Sequence, residues 1–259
     1  MIRLVATDLD GTLLKPDGTM PEGIFELIEE LRALGIRFVA ASGRQYGNLR
    51  RLFAPAGTAM GFLCENGAVV VLDDEVIGVT AIPRQMGVEI ISDLEALGMD
   101  VLVSGRHTCY VRDTARSFAE NMLYSLRNTT TVVSDLRAIP EDYLKISGYA
   151  QGGAYEQCKR LSPKWSGKIN AVLAGDQWFD FTMSNKGTGI RMLMEKLALT
   201  ADEIMAFGDH FNDESMLDIV GHPYLMQSAN LALRKPGVTV CANVVEELRR
   251  LVKANGRLL

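Results

Sequence analysis

Short apolar runs alternate along this chain with longer stretches in which apolar positions recur at helical spacing. The runs are residues 2–7, 36–41, 61–64, 204–207, 223–226 and 238–241, and none alternates strictly between polar and apolar. A strand with one wet face alternates, whereas a strand covered on both faces does not, so these runs predict buried parallel strands. Between them, residues 21–34, 45–54, 187–197, 214–220 and 244–253 carry an apolar stripe of helical period, which predicts amphipathic helices. Strand and helix taking turns in this way is the pattern of a doubly wound, Rossmann-like α/β fold around a parallel sheet.

Two stretches leave that rhythm. Residues 69–72 and 76–79 flank Asp73-Asp74-Glu75, a polar turn of hairpin length. Over residues 83–183 the order becomes helix, strand pair, helix, strands, helix, strand pair, with the helices expected at 84–97, 115–126 and 153–161. This reads as an α+β module inserted into the doubly wound core. The expected division is therefore 1–82 plus 184–259 for the core and 83–183 for the insertion.

Composition narrows the function classes. The chain has 259 residues, 47% apolar and 23% charged, which is ordinary for a globular enzyme. Its net charge of -5 opposes any broad attraction to nucleic acid or anionic lipid, so small molecules are the expected partners. Cys64, Cys109, Cys158 and Cys241 form no C-x-x-C pair and read as reduced thiols, which fits a cytoplasmic protein. The apolar start at residues 2–7 is too short for a signal peptide. No run approaches the roughly 20 apolar residues of a membrane span, so no membrane association is expected.

Four polar clusters follow apolar runs or open helices. Asp8-Leu9-Asp10-Gly11-Thr12 directly follows the first run. Two carboxylates separated by one residue project to the same side of an extended chain. At a strand's C-terminal end they would face the crevice where open α/β sheets bind ligands. Such a pair suits a nucleophile beside a proton-transfer group, although a lone D-x-D also fits a polar turn with Gly11 at positive φ. Ala41-Ser42-Gly43-Arg44 offers a hydroxyl and backbone amides at a strand-to-helix turn, suited to a phosphate oxygen or to plain helix capping. Ser184-Asn185-Lys186-Gly187 sits where the insertion ends, and Lys186 would neutralise both a carboxylate and a phosphoryl group. Gly208-Asp209-His210-Phe211-Asn212-Asp213 brings two further carboxylates, whose hard oxygens suit Mg²⁺ or would cap the next helix.

Together these clusters resemble the four ordered motifs of the haloacid dehalogenase-like phosphatase superfamily. The insertion between the second and third clusters, with Glu65-Asn66-Gly67-Ala68 before the hairpin, resembles the Cof-type branch and its α/β cap. That resemblance implies a Mg²⁺-dependent phosphatase acting on small phosphorylated metabolites through an aspartyl-phosphate intermediate. Asp8 is implied as the nucleophile and Asp10 as general acid and then base. Ser42, Gly43, Lys186 and Asn212 are implied to bind the phosphoryl group. Mg²⁺ is implied at Asp8, the Asp10 carbonyl and Asp209, with Asp213 supporting Lys186 or a metal-bound water. Met226-Gln227-Ser228-Ala229-Asn230 matches the family's Met-Gly-Asn-Ala segment only loosely.

Other residues carry less chemistry. His107, His210 and His222 have no metal-ligand spacing, and His210 alone lies inside a cluster. Trp178, Phe179 and Phe181 read as a packed strand. Arg106, Lys145, Tyr149 and Asp176 are cap residues that no pattern aims at a substrate. Two competing functions share the paired aspartates or the fold: a phosphosugar mutase, which would retain its phosphorylated intermediate, and a phospho-ligand sensor, which needs no nucleophile.

Overall fold

The computed structural model describes residues 1–125 and 128–258. The described residues gather into two compact units, one made of Met1–Arg44, Leu49–Gly78 and the chain from Asn185 onward, the other of Gln45–Asn48 and Val79–Ser184.

The chain opens with β1 (Leu4–Thr7), α1 (Ile24–Ala33), β2 (Arg37–Ala41), α2 (Tyr46–Leu52), β3 (Gly61–Cys64), β4 (Val69–Leu72) and β5 (Glu75–Val79). Then follow α3 (Arg84–Ala96), β6 (Asp100–Ser104), β7 (Cys109–Arg112), α4 (Arg116–Glu120), β8 (Thr130–Val133), β9 (Lys145–Tyr149), α5 (Tyr155–Trp165), β10 (Asn170–Ala174) and β11 (Trp178–Thr182). The remainder is α6 (Lys186–Leu197), β12 (Ile204–Gly208), α7 (Glu214–Leu217), β13 (His222–Met226), β14 (Thr239–Cys241) and α8 (Val244–Lys253).

In the first unit an eight-stranded sheet runs β14-β13-β12-β1-β2-β3-β4-β5. It is parallel from β14 to β3, and β4 pairs antiparallel to β3. Leu4 and Ala6 of β1 face α6 and α7 in a core with Ile190, Leu193, Met216 and Leu217. On β2 and β3, Phe38 and Phe62 meet Phe53, which in turn meets Phe25 of α1 edge-on. Both faces are thus covered, and this is why β1 to β3 read as continuous apolar runs. Strand order reverses at β1, whose neighbours are β2 on one side and β12 on the other. The loops after β2, β1 and β12 therefore leave the same edge side by side, at the switch point where such sheets bind ligands.

The second unit is built on a six-stranded sheet of order β10-β11-β9-β6-β7-β8, antiparallel except for the β7-β8 pair. Its core joins Val101, Val103, Ile146, Phe179 and Phe181 of the sheet to Ile90, Ile91 and Leu94 of α3 and Leu161 and Trp165 of α5.

Three helices differ from the sequence reading. α5 continues to Trp165 through Pro163, where the pattern predicted an end at 161. Trp165 is buried against Phe181 and donates its indole N–H to Asp93 at 3.0 Å, which offsets the hydrogen bond that proline cannot make. α7 has four residues instead of the seven predicted over 214–220. α4 ends at Glu120 and passes into a wide helical turn over Asn121–Ser125; the expected helical position 126 lies outside the described residues.

Candidate active site

Asp8 follows β1 with its side chain only 9% exposed, and its backbone N–H donates to the Phe207 carbonyl of β12 at 2.9 Å. One carboxylate oxygen accepts from Lys186 Nζ at 2.5 Å, and the same ammonium donates to Asp213 Oδ1 at 2.5 Å. Lys186 and Asp213 are both fully buried. The lysine is the first residue of α6, and Asn185 caps that helix by accepting from the Thr188 amide at 2.8 Å. Next to it, Gly187 leaves no room for a side chain because the Ser215 carbonyl occupies that space. An ammonium taken wholly out of water is costly unless paired, and here two carboxylates flank it.

Asp213 serves two neighbours at once. Its Oδ2 accepts from the backbone amides of Asp209 and His210 at 2.9 and 3.0 Å, which pins the loop after β12 in one shape. Asp209, half-buried, turns its carboxylate toward the first cluster, where Oδ1 accepts from the Thr12 hydroxyl at 2.9 Å. One oxygen each from Asp8, Asp209 and Asp213 lie within 4.8 Å of one another.

Burial dominates the electrostatics. It pushes the Asp8 carboxyl up from 3.8 to about 7, Lys186 pulling the other way and Asp213 and Asp209 adding repulsion. Burial alone would depress Lys186, yet Asp8 and Asp213 hold it above its ordinary value. Asp209 is also raised by burial, with the Thr12 hydrogen bond opposing. Three converging carboxylates with one buried lysine repel one another, and a hard divalent cation relieves that repulsion. The donor set, all oxygen and free of histidine nitrogen or cysteine sulfur, fits such an ion.

Asp10 stands apart from this cluster. The segment Leu9–Leu13 is a wide helical turn, not a continuation of the strand; Asp10 is locally extended at φ -77° and ψ 111°, and Gly11 turns the chain at φ 89°. The Asp10 carboxylate is exposed and meets Arg44, whose Nε and Nη2 donate at 3.0 and 2.5 Å to its two oxygens. The alternation expected of a D-x-D on a strand therefore does not describe the side chain of the second aspartate.

Ser42 is 2% exposed; its hydroxyl accepts from the Arg44 amide at 3.2 Å, and its carbonyl accepts from the Asn66 amide at 3.0 Å. Gly43 lies against the Asn66 side chain, where an added Cβ would come within 3.3 Å. Asn212 is exposed and donates weakly to Asn66 Oδ1 at 3.4 Å. The turn carrying Asn66 is strained, since Glu65, Asn66 and Gly67 all have positive φ at 49°, 56° and 88°. His210 is exposed beside Phe211, and its side chain makes no hydrogen bond to the three carboxylates.

Thr12, Arg44 and Asn66 join the site without having been assigned roles from the sequence. Thr12 and Arg44 lay inside recognised clusters, but their partners are 197 and 34 residues away, a relation no local pattern carries. Asn66 had one signal: asparagine beside glycine tolerates the left-handed region.

A family model for haloacid dehalogenase-like hydrolases matches residues 5–244, and the chain belongs to that family. A 5-amino-6-(5-phospho-D-ribitylamino)uracil phosphatase of Escherichia coli K12 is 25% identical over 241 residues, covering 90% of this chain and 88% of its own. A pyridoxal phosphate phosphatase of the same organism is 22% identical and covers 96% of this chain and 97% of its own. Among solved structures, a Eubacterium rectale protein superposes with a TM-score of 0.86 at 26% identity, covering 96% of this chain and 99% of that one. A haloacid dehalogenase-like hydrolase from B. subtilis shares the fold with a TM-score of 0.81 at 20% identity.

Proposed function

We propose that this chain hydrolyses small phosphate monoesters through a phosphoenzyme on Asp8, with Mg²⁺ as the metal. It is a phosphoric monoester hydrolase, and the observation that carries the mechanism is the buried Asp8–Lys186–Asp213 array with Asp209 beside it. The small-metabolite range rests on relatives named for a ribitylaminouracil phosphate and for pyridoxal phosphate.

Asp8 Oδ attacks phosphorus while the bond from phosphorus to the ester oxygen breaks, and Asp10 passes a proton to the departing alcohol. Water then attacks the aspartyl phosphate, Asp10 takes its proton, and inorganic phosphate leaves with Asp8 regenerated. Lys186 offsets the repulsion between an anionic nucleophile and an anionic phosphoryl group. Ser42, the Gly43 amide and Asn212 hold the phosphoryl oxygens. Mg²⁺, held by Asp8, the Asp10 carbonyl and Asp209, would supply further positive charge at the phosphoryl oxygens. Asp213, already accepting three protein hydrogen bonds, anchors Lys186 and the Asp209 loop.

Rapid quench with a phosphate monoester and Mg²⁺ should trap an acid-stable, hydroxylamine-sensitive phosphoryl group, and Asp8→Asn should abolish it. A labelled residue other than Asp8, or full turnover by Asp8→Asn, would overturn the mechanism. The insertion at 83–183 sets which alcohol is accepted, since the phosphoryl site is common to all such esters. Replacing it by a short linker should flatten preferences across a panel of esters; unaltered preferences would remove it as the selector.

A further inference from the structure

The Asp209 carboxylate is fixed from two sides by the loop that carries the nucleophile. Its Oδ1 accepts from Thr12 Oγ1 at 2.9 Å, with Thr12 only 6% exposed. Its Oδ2 lies where a side chain on Gly11 would have to go, so the carboxylate rests directly against the backbone of the first cluster. The main chain of Asp209 is held separately, by the hydrogen bond from its amide to Asp213 Oδ2 at 2.9 Å. Backbone and side chain of this one residue thus take their orientation from different loops.

We infer that Thr12 is the positioning residue for Asp209: its hydroxyl fixes the plane of that carboxylate so that the other oxygen is presented to a divalent cation. The inference rests on the reading of Asp209 as a metal ligand. A carboxylate bound at one atom is still free to rotate about its last bond, and a single donor to the other oxygen removes that freedom before the ion arrives. The donor is chemically specific. Valine has threonine's shape but no hydroxyl, so it would take away the donor that Oδ1 accepts from, whereas serine keeps the donor and gives up only a methyl group.

The test is direct metal binding in the absence of substrate: Mn²⁺ by electron paramagnetic resonance and Mg²⁺ by calorimetry, on wild type, Thr12→Val, Thr12→Ala and Thr12→Ser. Loss of a hydrogen bond to a metal ligand typically weakens binding by about 10-fold or more, and that is the expected change for both Val and Ala, with Ser within about 3-fold of wild type. Turnover lost by the Val variant should recover progressively as Mg²⁺ is raised, the signature of a defect in affinity. Thermal melts of the metal-free variants check folding, and the Ala variant carries the test if Val does not fold. Wild-type affinity in both Val and Ala, or a Ser variant as weak as Val, would overturn the role of the hydroxyl while leaving Asp209 as a ligand. A wild-type protein that binds neither ion would overturn the metal reading and this inference together.

Discussion

Arg44 grips Asp10 with two parallel hydrogen bonds, Nε to Oδ2 at 3.0 Å and Nη2 to Oδ1 at 2.5 Å. Both side chains are substantially exposed, at 38% and 59%, so the pair adds little to stability. Its consequence is orientation, because a two-point fork fixes the carboxylate plane where a point charge does not. Arg44→Lys should therefore behave more like Arg44→Met than like wild type. Both should lower kcat on alkyl phosphates by about 10-fold, with a smaller effect on aryl phosphates, whose departing group needs less protonation. Equal losses on the two ester classes would show that Arg44 serves something other than Asp10.

The raised Asp8 carboxyl makes a signed prediction about pH. In the unfolded chain this group loses its proton near 3.8, and in the folded, metal-free protein near about 7. Between those values the native state holds the extra proton, so the stability contribution of this group is present below the lower value and declines as pH rises toward the upper one. A cation that binds the carboxylate must displace that proton. Mg²⁺ affinity should consequently rise with pH up to about 7 and then level off. Calorimetry in buffers of different ionisation enthalpy should detect proton release at about pH 6, little at about pH 8.5, and a much smaller release at either pH in Asp8→Asn.

The core was legible because each loop bearing chemistry follows a short apolar strand, and residue type at a strand end is local information. Asp8, Ser42 and Asp209 could be picked out in this way, and Lys186 by its place at a helix start where the insertion ends. What joins them was not legible. The contact of Thr12 with Asp209 and that of Arg44 with Asp10 depend on β2, β1 and β12 being neighbours in the sheet, and periodicity says only that strands exist, not their order. Helix ends failed for a similar reason: α5 runs through Pro163 because Trp165 finds both a buried site and a carboxylate partner from α3. A single-sequence rule about proline cannot weigh that tertiary gain.

Lys186 neutralises two buried carboxylates, so its removal should act on stability as well as on catalysis. Lys186→Met leaves Asp8 and Asp213 buried without a counter-ion, an error that typically costs about 3–5 kcal/mol. Lowering the pH lets Asp8 keep its proton, so the deficit should shrink in mildly acidic buffer. Denaturant melts of the metal-free proteins at about pH 8 and at about pH 5.5 would check this. A deficit equally large at both would mean that lost packing, not uncompensated charge, explains it.

Asp10 is asked for opposite services in the two half-reactions, and a single substitution separates them. Asp10→Asn keeps the backbone at this position and a side chain of the same size, so metal binding should survive, but it removes proton transfer. An aryl phosphate needs little acid assistance as it leaves, so the first step should persist while the second, which needs a base for water, slows. The aspartyl phosphate should then accumulate and a burst of aryl alcohol should appear, one equivalent per site. An alkyl phosphate needs the acid as well, so both steps should slow and no burst should form. A loss of about 10²-fold or more in steady-state rate is the normal scale for a positioned acid-base group. Stopped-flow release of the aryl alcohol, with phosphoenzyme quantified after quench, reads both steps. Near wild-type turnover of an alkyl phosphate by this variant, with metal binding intact, would move proton transfer to some other group and leave the Arg44 fork without its proposed purpose.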